Sequence, residues 1–352
     1  MKYENGILSF DASDAHFVAK HGLRETVKLA SNHYDNYQTP FIRDTFQLAH
    51  VVGTFQKSLF AFSKSTSQHY KRITLRKKNG GTRVIHAPDS QLKYMQMNIL
   101  RNILSKIEVS PYATAYVKGK RLQDNAAPHI RHRYLLKMDV TDFFGSITFL
   151  EVISAAFPSK MYPAQIGAML TSLCCLGDVL PQGAPTSPAL SNIVMRNFDD
   201  ILGSWCQKRG ITYTRYCDDL IFSADRPLYG VYCKATELLE ARGFQVNEKK
   251  TTFVTNASSQ RVTGLAVNEK VSIPKEYKRQ LRQELYYALK FGLENSILHG
   301  NKTNYVFDGV PDAGGYYAHL SGKLQYVLQI EPHNAWFADA AQRLYEKYYY
   351  NW

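Results

Sequence analysis

Three aspartates set in otherwise apolar stretches are the residues of this chain whose types and spacing best suit chemistry. Asp139 lies in YLLKMDVTDFF (134–144), and Asp218 and Asp219 stand side by side in RYCDDLIFSA (215–224). Both stretches read as buried strands. An ionised carboxylate taken out of water costs several kcal/mol unless something compensates it. Successive strand residues face opposite sides, so two adjacent aspartates reach one site only where that alternation breaks, as at a hairpin turn. If the two strands are neighbours, Asp139 and Asp218 converge, and like charges at close range demand a cation. Hard divalent ions such as Mg²⁺ take carboxylate oxygens and are completed by substrate phosphates. Two such ions about 3.5–4 Å apart clamp the attacking and leaving oxygens of a phosphoryl transfer. A second pair, Asp199-Asp200, falls on a predicted long helix, where neighbours splay by about 100°, and reads as a solvated face.

The elements that must position these acids follow from pattern. Residues 1 to 68 read as helical, with Phe46, Val51, Phe55, Leu59 and Phe62 at helical spacing. YKRITLRKKNGGTRVIHAP (70–88) is a hairpin with a Gly80-Gly81 turn and a basic tip, and a helix spans 91–107. After LPQGAPTSP (180–188) a long helix begins, with Ser187 as its cap, Pro188 in its first turn and Leu190, Val194, Phe198, Ile201 and Trp205 as its buried stripe. ITYTRYCDDLIFSA (211–224) is strand, short turn, strand; a helix near 229–242 and the strand KTTFVT (250–255) follow. From Pro274 the pattern becomes wholly helical, with Tyr277, Leu281, Leu285 and Leu289 at four-residue steps among basic residues. Mixed strands and helices followed by a helical end make an α+β body with a helical appendage.

Composition narrows the partners. The 352 residues hold 43 Lys plus Arg against 30 Asp plus Glu, a net charge of +13, which points to a polyanion, nucleic acid before membrane. Tyrosines number 24, and aromatic faces suit both core edges and the stacking of unpaired bases. Cys174, Cys175, Cys206, Cys217 and Cys233 show no C-x-x-C spacing and read as reduced core thiols. Without a signal-peptide pattern or an apolar run of about 20 residues, a cytoplasmic protein with no membrane partner is expected.

The ordered set is more specific than any one motif. Asp139 is followed by Phe144, then LPQGAPTSPALSN (180–192), then RYCDD, then NEKKT (247–251). This series resembles the palm of reverse transcriptases: an acid strand with an aromatic five residues on, a P-Q-G…SP…N segment, a Y-x-D-D turn and a lysine-bearing segment. The resemblance implies the right-hand polymerase fold, with an N-terminal helical segment over 1–68, fingers over 69–133, palm over 134–268, and a helical thumb with an aromatic tail over 269–352. It implies that Asp139, Asp218 and the Val140 carbonyl hold two Mg²⁺ (or Mn²⁺), with Asp219 in support. Phe144 would be the gate against a ribose 2′-hydroxyl, or else a plain core residue like its neighbour Phe143. Gln182 and Gly183 would meet the incoming dNTP, and Lys77, Lys78 and Arg83 would hold its triphosphate. Lys250 is the candidate proton donor to pyrophosphate, with Lys249 the competing assignment.

Two further stretches refine this. Asn125-Ala-Ala-Pro-His129 is similar to the N-A-x-x-H element of retron reverse transcriptases, and Val262-Thr263-Gly264 to that group's V-T-G element. Over residues 70–330 the chain thus resembles an enzyme that binds one structured non-coding RNA. Such an enzyme copies part of that RNA from a guanosine 2′-hydroxyl and leaves branched msDNA. The resemblance implies that Asn125, His129, Val262, Thr263, Gly264, Lys275, Arg279 and Arg282 recognise or position the RNA. It also implies a separate effector protein in anti-phage defence. The competing readings are another bacterial reverse transcriptase, group II intron-like or defence-associated, and a polymerase-shaped RNA-binding scaffold without catalysis.

Overall fold

The computed structural model describes residues 2–4, 7–9, 12–76 and 80–348, in two compact units. The first comprises Met1–Lys120, Leu136–Phe222 and Pro227–Phe253; the second comprises Arg121–Leu135, Ser223–Arg226 and Val254–Trp352. Elements are mixed α and β with antiparallel hairpins, the α+β class expected.

In the first unit the N-terminal strands Lys2–Glu4 and Ile7–Ser9 pair antiparallel ahead of four helices. The apolar run over 46–62 is not one stripe. Asp44 caps the helix Thr45–Val52 by accepting from the Phe46 and Gln47 amides, and Gly53 ends it at φ 75°. A side chain at Gly53 would come within 2.5 Å of the Asn98 amide nitrogen, so the break is built in. Phe46 and Phe55 consequently face solvent, while Leu48, Ala49, Val52, Leu59 and Phe62 are buried. The basic hairpin forms as expected: Tyr70–Arg76 pairs with Thr82–Pro88, from Tyr70 opposite Pro88 to Arg76 opposite Thr82.

The five-stranded sheet runs in the order Thr212–Tyr216, Asp219–Ala224, Tyr134–Thr141, Gln245–Val246, and Thr252–Thr255 also pairs with Tyr134–Thr141. The two aspartate-bearing strands are therefore neighbours. Leu135, Leu136, Met138 and Val140 are all buried, as in a strand covered on both faces. The helix Ser187–Gln207 packs against Thr212–Tyr216. Its buried stripe starts as read, at Leu190, Val194 and Phe198, but then turns to Leu202 and Cys206, leaving Ile201 exposed and Trp205 half-buried. Ser187 is not the cap. It lies inside the first turn with Pro188, and its hydroxyl donates to the Pro181 carbonyl at 2.7 Å.

The second unit holds the short helix Leu122–Ala126, a single turn Ala127–His129, the two-residue strands Arg261–Val262 and Leu265–Ala266, and four helices from Lys275 to Tyr348. Leu281 and Leu285 are buried while Tyr277 and Leu289 lie half-buried. This end is not wholly helical, because Val306–Phe307 pairs with Val310–Pro311 between helices. Four cysteines are buried free thiols; Cys233 is exposed rather than in the core. Among the described residues no helix is long and apolar enough to cross a membrane.

Candidate active site

The site grows from one turn. Between the strands Thr212–Tyr216 and Asp219–Ala224, Cys217 takes φ 60°, the left-handed region that side chains other than glycine rarely adopt. That kink breaks the strand alternation where the reading of the Asp pair required it. The Val140 amide donates to the Asp218 carbonyl at 3.0 Å, so the turn is docked beside Asp139.

Asp139 is nearly buried, and both its oxygens accept from Lys250 Nζ, at 2.7 and 2.9 Å. The backbone delivers this lysine: the Asn247 amide donates to the Asp139 carbonyl at 2.7 Å, and the Lys250 amide turns back onto the Asn247 carbonyl. Of the two lysines, Lys250 makes this contact. Burial, reinforced by the Asp139 charge, pushes the Asp218 carboxyl up from its ordinary range. Burial and then the Asp218 charge push Asp219 up to about 6, partly offset by Lys137 and Lys250. Lys137 was not singled out by the sequence, although it sits two residues before Asp139 on the same strand face.

Among the described residues no three His, Cys, Asp or Glu side chains already form a metal cage. The donor set nonetheless fits a hard divalent ion. Asp139 and Asp218 converge, the Val140 carbonyl is adjacent, and the carboxyls repel one another in a half-buried place where added positive charge is favourable.

Around this centre the other expected nucleotide-side residues have distinct settings. Phe143 is the core residue, stacked on Phe244 at 6.0 Å between ring centroids, whereas Phe144 meets Phe143 edge-on and keeps part of its surface in solvent. The Gln182 carbonyl accepts from the His86 amide at 2.8 Å, so the P-Q-G segment is pinned to the basic hairpin. Gly183 has φ 128°, and a side chain there would lie 2.6 Å from the His86 carbonyl oxygen and from Ile85. The hairpin backbone is thus one group whose close approach needs that glycine. Arg83 is exposed on the hairpin; Lys77 and Lys78 lie outside the described residues.

One feature contradicts the sequence reading. Asp199 is not on a solvated face: it is fully buried and paired with fully buried Arg215 at 2.6 Å. Arg215 Nε and Nη2 both donate to the carboxylate, the Tyr213 hydroxyl donates to it at 2.8 Å, and Arg215 Nη1 donates to the Cys217 carbonyl at 3.0 Å. The helical spacing carried the signal, since Asp199 falls between Met195 and Leu202 on the buried side. Its neighbour Asp200 is half-buried and accepts from the Ser110 hydroxyl.

The remaining expected residues gather in the second unit. Asn125 and His129 are fully buried, and a His129 ring nitrogen lies 2.8 Å from the Ser223 hydroxyl. Burial, with His132 nearby, lowers His129 to about 3. Thr263 and Gly264 form a two-residue turn with φ 46° and 84°, and Val262 opposite Leu265 is buried beneath it. The helix Leu122–Ala126 packs against the strand Leu265–Ala266, and the Arg131 amide donates to the Val267 carbonyl. The two stretches that carried the finer resemblance therefore pack together. Because Asn125 and His129 are withdrawn from solvent, they suit positioning of this element rather than direct contact. Lys275, Arg279 and Arg282 are exposed on the helix Lys275–Phe291, with Arg282 lying over Trp336 and Phe337 at 5.2 Å.

Comparison with known proteins gives the family of the chain. The family described as reverse transcriptase (RNA-dependent DNA polymerase) matches residues 75–271. The retron Mx65 reverse transcriptase of Myxococcus xanthus is 34% identical over 322 residues, covering 85% of this chain and 71% of that protein. The retron Ec86 reverse transcriptase of Escherichia coli is 35% identical over 269 residues, covering 75% of this chain and 83% of its own length. Among solved structures, telomerase from Candida albicans in complex with a telomeric RNA fragment aligns at TM-score 0.41 and 13% identity, over 83% of this chain and 64% of that one.

Proposed function

Since the chain belongs to the reverse transcriptase family as a retron reverse transcriptase, an RNA-directed DNA polymerase of right-hand fold, we propose that Asp139 and Asp218 are its catalytic carboxylates. We propose with this that its product is branched msDNA. The observation that carries the reading is the convergence of Asp139, the Asp218 turn and Lys250 from three separated segments. Asp139, Asp218 and the Val140 carbonyl would hold two Mg²⁺ or Mn²⁺, with Asp219 supporting. Bound there, the ions would supply Lewis-acid activation of the attacking hydroxyl and neutralise phosphate charge.

The chain's own groups do the rest. Asp139 and Asp218 orient the reacting end in a half-buried place where charge is poorly screened. Lys250, drawn to Asp139 at rest, would release a proton to departing pyrophosphate. Phe144 keeps its exposed edge for the sugar and excludes a ribose 2′-hydroxyl. Gln182, Gly183 and the hairpin bearing Lys77, Lys78 and Arg83 receive the dNTP.

In this reading 1–68 is an N-terminal segment, helical only after the strand pair Lys2–Glu4 and Ile7–Ser9 that opens it, 69–133 the fingers, 134–268 the palm and 269–352 the thumb. The paired N-A-x-x-H and V-T-G elements position a cognate structured RNA, and Lys275, Arg279 and Arg282 grip its backbone. Synthesis starts from a guanosine 2′-hydroxyl of that RNA. The product complex acts with a separate effector in anti-phage defence. Gel extension with Mg²⁺, dNTPs and a primed RNA template tests the site: wild type extends, and Asp218→Asn with Asp219→Asn does not. Sequencing of co-purifying nucleic acid tests the product, which should be a single RNA carrying a 2′,5′-joined DNA. A linear product, or none, would remove the branched-product reading.

A further inference from the structure

The fully buried Asp199–Arg215 pair lies outside the proposed catalytic set, and a buried ion pair is a poor device for stability alone. Apolar residues of similar volume commonly replace such pairs without loss, because the desolvation of both charges offsets their attraction. The geometry of this pair indicates what else it does. The Arg215 guanidinium uses all three nitrogens: Nε and Nη2 are committed to Asp199, and Nη1 reaches the carbonyl of Cys217 at 3.0 Å. Cys217 is the left-handed residue immediately before Asp218. A planar fork with fixed donor directions can hold that carbonyl while its other edge is anchored; a lysine cannot do both.

The backbone of the same residue is held from the other side. The Arg215 amide donates to the Tyr112 carbonyl at 2.8 Å, and its carbonyl accepts from the Thr114 amide and hydroxyl, each at 2.9 Å. The Asn192 side chain on the helix that carries Asp199 donates to the Ala115 carbonyl at 2.7 Å. The next residue, Tyr116, is itself left-handed at φ 58°, and its largely exposed ring lies beside Cys217 and Asp218. Arg215 thus sits where the helix, the 112–116 segment and the carboxylate turn are tied together.

We propose that Arg215, anchored by Asp199, is a positioning residue of the polymerase site: it fixes the left-handed Cys217 and so sets where the Asp218 carboxylate lies. The proposal rests on Asp218 being a metal-holding carboxylate. A misplacement of about 1 Å at a reacting centre costs roughly 100-fold in rate, and outer groups that orient metal ligands carry about 10- to 100-fold in metal affinity.

The test compares wild type with Arg215→Lys and with the double variant Arg215→Met, Asp199→Leu, which removes both charges and leaves apolar side chains in their place. Each is assayed for kcat and dNTP KM on a primed RNA template, for Mn²⁺ binding to the free protein by water-proton relaxation, and for melting temperature. Expected is a fall in kcat of about 10- to 100-fold with little change in dNTP KM, together with Mn²⁺ binding weaker by about tenfold, in a double variant that still folds. The proposal is overturned if the double variant melts like wild type and keeps both kcat and Mn²⁺ affinity. It is equally overturned if both variants merely melt lower and regain full rate and metal binding in colder assays, which would make the pair a brace only. Asp218→Asn run beside them separates the two readings. Should that variant still extend primers, the reading of Asp218 itself fails. If it is inactive while the Arg215 variants behave as wild type, only the present proposal fails.

Discussion

The chain carries Asp-Asp twice, and the two pairs have opposite electrostatics. At 218–219 the carboxylates are half-buried, raised from their ordinary range by burial and by one another, and incompletely offset by Lys137 and Lys250. At 199 the carboxylate is deeper still, yet it faces a guanidinium and a phenol aimed at it. One place holds unresolved negative charge at the edge of solvent; the other has its charge matched inside the protein. Depth alone therefore does not mark a catalytic acid. Under the proposed function, what marks the catalytic pair is a deficit of positive charge that something outside the chain can fill.

Swapping one charge in each pair for an amide gives the largest contrast. Asp218→Asn should lower primer extension by about 10³-fold or more while the metal-free protein melts no lower than wild type, since a repulsion is relieved. Asp199→Asn should do the reverse in stability. It leaves the buried guanidinium without its counter-charge and should cost about 3–5 kcal/mol in urea unfolding. If Asp218→Asn proved the more destabilising of the two, the contrast between the pairs would be wrong.

A smaller effect sharpens the same distinction for aromatics. Phe143 is packed on Phe244 and Phe144 is not enclosed. Phe144→Ala should therefore spare folding and raise incorporation of ribonucleotides relative to deoxynucleotides by about 10- to 100-fold, the range a single shape contact discriminates. Competition between rNTP and dNTP in single-nucleotide extension measures this, and unchanged selectivity would return Phe144 to the core.

Much of this was legible in the chain because the signals were local. The alternating hairpin over 70–88, the strand–turn–strand over 211–224 and the helical stripe at Leu281 and Leu285 depend on neighbours a few residues away. The ordered acids and the Gln-Gly segment between them were readable for the same reason. The errors have two kinds of cause. Asp199 falls on the buried side of its own helix by spacing alone, but its partner, Arg215, lies on another element, and only the fold shows that pairing. Phe46 and Phe55 matched helical spacing until Gly53 ended the helix. At Gly183, where a nucleotide is expected to approach, the fold adds a second neighbour, the backbone of a hairpin far away in sequence. The Asp199 pairing and the Gly183 contact required knowing which distant group would arrive, whereas the Gly53 break is local.

His129 extends the comparison to a buried group that stays neutral. Its imidazole is enclosed, bonded to Ser223, and lowered from 6.5 to about 3 by burial with a contribution from His132. Between those two values the unfolded chain binds a proton that the folded chain refuses. The stability contributed is thus complete above pH 6.5 and is lost as pH falls from 6.5 toward 3, by at most about 1.4 kcal/mol per pH unit. Asp219 runs the other way, because acidification through pH 6 relieves the cost of burying its charge and then its repulsion from Asp218. His129→Gln should therefore flatten the fall in urea-unfolding free energy between pH 6.5 and 5, with Asp219→Asn steepening it. A histidine poised to grip phosphate would instead be held charged, with its pKa raised rather than lowered. If stability rose on acidification and His129→Gln abolished the rise, the ring would be a charged contact rather than a neutral strut. Under the proposed function, the N-A-x-x-H element would then have to meet the RNA directly.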